Sequence, residues 1–85
     1  MEYKFSCHAQ TEMERRKISV DLVESVLDNP QQVVSEKEGR KAYQSKIDVG
    51  GRAFLLHVIV VDDVEPAVVI TVYKTSKIDK YWRAE

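Results

Sequence analysis

The sequence predicts an α+β domain: two N-terminal helices packed on an antiparallel sheet of about four strands, with a short C-terminal helix. Three observations predict it. Apolar residues recur at helical spacing between Phe5 and Leu27. After Asn29-Pro30 the pattern changes to two long strand-like runs, RKAYQSKIDV and RAFLLHVIVV, joined by Gly50-Gly51. A third run, AVVITVYK, follows a polar loop. A chain of 85 residues has room for one core, so residues 1–85 are expected to form a single domain.

The elements follow in order. Residues 3–5 supply a short leading strand. Ser6 suits an N-cap, and residues 7–17 avoid Gly, Pro and β-branched runs, so they read as a helix with a thin apolar stripe of Phe5, Ala9 and Met13. Ser19 caps a second helix, with Asp21 at the positive end of its dipole and Val20, Leu22, Val23, Val26 and Leu27 at helical spacing. Asn29-Pro30 ends it, because the residue before proline is driven out of the α region. Residues 31–37 read as a weak strand, Glu38-Gly39 as a turn, and 40–49 and 52–62 as the arms of a hairpin. A loop at 62–66 leads to a last strand at 67–74. Thr75 or Ser76 caps a final helix at 77–84, with Asp79 completing a capping box with Ser76.

A two-residue Gly-Gly turn fixes a register. Val49 faces Arg52, Ile47 faces Phe54, Ser45 faces Leu56 and Tyr43 faces Val58, all on one sheet face. That face is mostly apolar and should receive the helices. The other pairs Lys46 with Leu55, Gln44 with His57, Ala42 with Ile59 and Arg40 with Val61. An apolar floor with converging polar groups is the composition of a binding or catalytic face. The last two strands are apolar on both sides, as central strands covered twice are. The second cover would be a ligand, the tail with Tyr81 and Trp82, or another protein, so a homodimer or hetero-complex is expected.

Composition narrows the function classes. Hydrophobic residues make up 44% and charged residues 32%, which excludes a disordered chain. The longest apolar run, at 53–61, is too short to span a membrane, and the N-terminus lacks a signal-like apolar core. The single Cys7 excludes an internal disulfide and a multi-cysteine metal knuckle; a reduced, cytoplasmic setting is expected. A net charge of −1 argues against a nucleic-acid coat protein. Even so, residues 40–52 carry Arg40, Lys41, Lys46 and Arg52 against Asp48, and residues 71–83 carry Lys74, Lys77, Lys80 and Arg83 against Asp79. Brought together they make a local anion site; kept apart they are solvated surface.

Few residues offer chemistry. His57 lies in an apolar strand, where it is either a hydrogen-bonded core residue or, beside Lys46 and Arg40, a group for proton transfer. Tyr73, Lys74, Lys77, Lys80 and Tyr81 mix rings with cations, which suits single-stranded RNA, though a strand end with an amphipathic tail looks the same. His8 and Glu12, four apart on a helix, are two metal ligands at most, a poor site, and His8 better serves the helix start. There is no phosphate-binding glycine loop and no nucleophile or zinc motif, so no metal or other cofactor is expected.

The segment His8-Ala9-x-x-x-Met13-x-x-Arg16-x-Ile18-Ser19, with Val23, Leu27 and Asn29-Pro30, and the ending VITVYKTSKIDKYW, resembles a family of small prokaryotic proteins known as a domain of unknown function. His8 and Arg16 match its motif, while Glu12 stands where that family often has arginine. The family is similar in architecture to RelE- and BrnT-like toxins. The resemblance implies a toxin of a type II toxin–antitoxin pair, a metal-independent endoribonuclease acting on mRNA and silenced by an antitoxin protein. Lys46, Arg52, His57 and Tyr73 are residues of suitable type for its catalysis, and Arg40, Lys74, Lys77, Lys80 and Tyr81 for its RNA contacts. The other reading is a non-enzymatic interaction module that dimerises or binds a protein partner through the same face. Convergence of His57, Lys46, Arg52 and Tyr73 in an open cleft favours the enzyme; a face filled by Tyr81, Trp82 or a second copy favours the module.

Overall fold

The computed structural model describes residues 2–83. Its order is β1 (Tyr3–Phe5), α1 (Cys7–Arg16), α2 (Val20–Asp28), β2 (Gln32–Ser35), a 3₁₀ turn (Lys37–Gly39), β3 (Arg40–Val49), β4 (Arg52–Val61), β5 (Ala67–Thr75) and α3 (Ile78–Tyr81). The five strands form one sheet in the order β1-β5-β4-β3-β2. All pairings are antiparallel except β1 with β5, which is parallel. The leading strand and β2 therefore complete a sheet of five strands rather than four.

The capping expectations hold for the first two helices. The Ser6 hydroxyl accepts the Ala9 N–H and donates to the Ile70 carbonyl, tying the start of α1 to β5. The Ser19 hydroxyl accepts the Leu22 N–H at the start of α2. Lys17, in the left-handed region at φ 55°, closes α1 and turns the chain into α2. Together the helices bury Ala9, Met13, Ile18, Val23, Val26 and Leu27 against Leu56, Val58, Val60, Val69 and Val72. The hairpin register is the one the Gly-Gly turn dictates, from Val49 opposite Arg52 to Arg40 opposite Val61.

The C-terminal helix departs from expectation. It is a single turn, Ile78–Tyr81, with Lys77 at the cap position and no side-chain capping bond. The Ser76–Asp79 capping box does not form; the Thr75 hydroxyl accepts the Lys77 N–H instead. Trp82 is already extended, so the helix stops short of the predicted 77–84, and residue 84 lies outside the described residues. Among the described residues no helix is long and apolar enough to cross a membrane.

Candidate functional site

One row of side chains crosses four strands on the face away from the helices. Gln32 of β2 lies opposite Gln44 of β3, Gln44 opposite His57 of β4, and His57 opposite Tyr73 of β5. The C-terminal segment lies back over this row. Gln32 pairs with the main chain of Arg83 as a neighbouring strand would: its Oε1 accepts the Arg83 N–H and its Nε2 donates to the Arg83 carbonyl. Gln44 Nε2 donates to Gln32 Oε1 at 2.6 Å and to the Tyr81 carbonyl at 3.3 Å. The Tyr81 ring stands edge-on to His57, with centroids 5.0 Å apart. One row out, the Lys46 ammonium sits 4.2 Å from the Trp82 ring centroid.

His57 is the centre of this arrangement. Its ring stacks on Tyr73 at 4.7 Å, is only 3% exposed, and neither ring nitrogen has a hydrogen-bond partner. Burial lowers its pKa from 6.5 to about 4, so the imidazole is neutral at pH 7. Burial, with Tyr81 and Glu36 nearby, raises the Tyr73 phenol, which therefore keeps its proton. Two cavities adjoin the row and share Lys80. The inner one, about 310 Å³, is lined by Val34, Glu36, Gln44, His57, Lys80 and the stretch from Tyr81 to Arg83. The outer one, about 550 Å³, is lined by Lys46, Lys77, Lys80, Ser76, Ile78 and Asp79.

The residues singled out from the sequence divide between the two faces. Lys46, His57, Tyr73, Lys77, Lys80 and Tyr81 gather around the tail. Arg52 and Lys74 lie on the opposite face, toward the Gly-Gly turn of the hairpin, at 5.5 and 5.4 Å from the centre of the Phe54 ring. Arg40 is at the far end of β3, beside Glu36, Glu38 and Ile59. Of the two motif residues on α1, His8 is exposed and Arg16 is held by Glu12. The same Glu12 carboxylate binds Arg15, and these hydrogen bonds outweigh partial burial to bring its pKa down to about 2. Glu12 is thus occupied by arginines rather than poised beside His8, and among the described residues no three potential metal ligands lie together. Of the residues in the row, the one the sequence did not single out is Gln32, and its signal was a polar side chain in register with Gln44 and His57.

Neither a curated protein nor a solved structure matches this chain. Residues 5–74, from the end of β1 to the second-last residue of β5, match the model of a family described as a domain of unknown function, DUF4258, and the chain belongs to that family.

Proposed function

We propose that this protein is a toxin-like member of a toxin–antitoxin pair that acts on RNA in the cytoplasm through the tail-crossed face of its sheet. One observation carries the reading. Lys46, Lys77, Lys80 and Arg83 gather beside Tyr81 and Trp82, and among the described residues none of the four is in an ion pair. Unneutralised cations next to half-buried aromatic rings suit a single strand: phosphate contacts with bases stacked alongside. The helices-on-one-face layout is read as RelE/BrnT-like, and a type II antitoxin would be the protein that covers this face.

In the enzymatic form of this reading, the ribose 2′-hydroxyl attacks the adjacent phosphate. Neutral His57 accepts the proton, protonated Tyr73 supplies one to the leaving oxygen, and Lys46 with Lys80 offsets the charge of the phosphorane. Arg52 is on the opposite face, so with Lys74 and Phe54 it would hold flanking nucleotides and not the reacting phosphate. A specific observation favours a second reading: Tyr81 and Trp82 lie on the face and His57 is buried beneath it. A covered face is that of a non-enzymatic module awaiting a protein partner or a second copy of the chain. Induction of the chain alone in a bacterial host decides between them. Growth arrest, relieved by Lys46→Ala/Lys80→Ala at equal soluble abundance and not by Arg52→Ala, is the expected result. Normal growth at high soluble expression rejects the toxin in favour of the module.

A further inference from the structure

We propose that the inner cavity over His57 is a subsite for a single nucleobase, with the adjoining phosphate held in the outer cavity by Lys46, Lys77 and Lys80. The inference rests on the RNA-binding part of the reading above and names which part of the ligand goes where; a base paired with both His57 nitrogens leaves His57 no free nitrogen to take the proton of the enzymatic form.

Four features select this ligand. The first is His57 itself. A neutral imidazole has one donor and one acceptor nitrogen, and here both are buried without a partner while the ring lines the cavity. Buried polar groups are nearly always paired, so an orphan pair on a residue that borders a cavity marks what an occupant that reaches it must provide. An apolar occupant would satisfy neither nitrogen and a simple anion only one. The edge of a nucleobase offers donors and acceptors side by side. The second is the wall. Tyr81 and Trp82 bring aromatic surface to the same cavity, and Tyr73 backs the imidazole.

The third is charge. The Glu36 carboxylate lines the inner cavity; it accepts from exocyclic amino groups and repels an anion. The lysine-rich outer cavity does the reverse, and Lys80 belongs to both. A ligand with a neutral polar ring at one end and a phosphate at the other matches this polarity. The fourth is size. At about 310 Å³ the inner cavity is at the floor of the range for small-molecule sites, roughly 300–1,000 Å³, which suits one base and not a stacked pair.

The test is a titration of the ¹⁵N-labelled full chain, followed at the histidine ring nitrogens and the lysine-bearing backbone amides. The probes are the four nucleoside 5′-monophosphates, ribose 5-phosphate, inorganic phosphate and a short single-stranded RNA. At least one monophosphate is expected to move both ring nitrogens of His57 and leave His8 in place. Ribose 5-phosphate should move only the amides around Lys46, Lys77 and Lys80. Lys80→Ala should weaken the monophosphate roughly tenfold, as loss of a charged hydrogen bond does. His57→Leu, which removes an unpaired polar group and keeps the fold, should reduce the monophosphate to the affinity of ribose 5-phosphate. If no monophosphate moves His57, or inorganic phosphate moves it equally, the subsite is overturned and the cavity is a water or anion site. RNA that binds without moving His57 overturns the subsite and leaves the RNA reading standing. Monophosphates that move His57 without any RNA binding support the subsite for a free nucleotide and end the RNA reading.

Discussion

His57 carries the cost of its position in its protonation. In the unfolded chain its pKa is the ordinary 6.5; in the fold, burial lowers it to about 4. The unfolded chain therefore takes up the proton first, and acid favours unfolding. The stability of the neutral state is intact above about pH 6.5 and is lost progressively as the pH falls toward 4, a total on the order of 3 kcal/mol. The groups that face it are Gln44, Tyr73 and Tyr81 around its ring and Glu36, Lys80 and Arg83 along the same cavity. Glu12 and Asp62, whose carboxyls are held below their usual values, act at lower pH. Urea midpoints measured from pH 7.5 to pH 4.5 should fall for the native chain and fall much less for His57→Leu. Equal slopes in the two proteins would show that the imidazole is hydrated and not buried.

At the scale of elements, what could be read in advance was whatever local chemistry decides. Two glycines allow one tight hairpin, and that turn sets the register of twenty residues; Gly50 and Gly51 both take positive φ, as that connection requires. The helix starts were legible because Ser6 and Ser19 cap them with their own hydroxyls. The core that these elements enclose predicts its own mutants. Leu27 and Leu56 are 4% and 0% exposed on facing layers, so truncating either to alanine should cost about 2–5 kcal/mol in chemical denaturation. A loss below half a kcal/mol would remove that residue from the core. The tail was not legible, because nothing near it in sequence determines its path. Its one helical turn has no capping side chain, and its course is set by Gln32 and Gln44, about fifty and forty residues earlier. The grouping of Arg52 with Lys46 failed for a different reason. Counting charges along the chain joined them, whereas the period-two alternation of the hairpin already separated them onto opposite faces.

Across the whole molecule, a net charge of −1 coexists with a positive end. Acidic residues outnumber basic ones before Gly39, and the surplus of cations lies at the tail and the turn end of the hairpin, on both faces of the sheet. Binding of a single strand should therefore be governed by that local cluster and not by the net charge, and the two make different forecasts. Attraction by a protein of charge −1 as a whole predicts no gain at low salt. Four cations, Lys46, Lys77, Lys80 and Arg83, neutralising four phosphates predict a slope of log affinity against log salt near −3. Raising monovalent salt from about 50 to 200 mM should then weaken a short single-stranded RNA roughly 50-fold. Fluorescence anisotropy at three or four salt concentrations reads this directly. Lys80→Ala should lower the slope by somewhat less than one, and Arg40→Ala, at the far end of β3, should leave it unchanged. A flat salt response would take the phosphates off this face and leave an uncharged surface of a protein partner as what it binds.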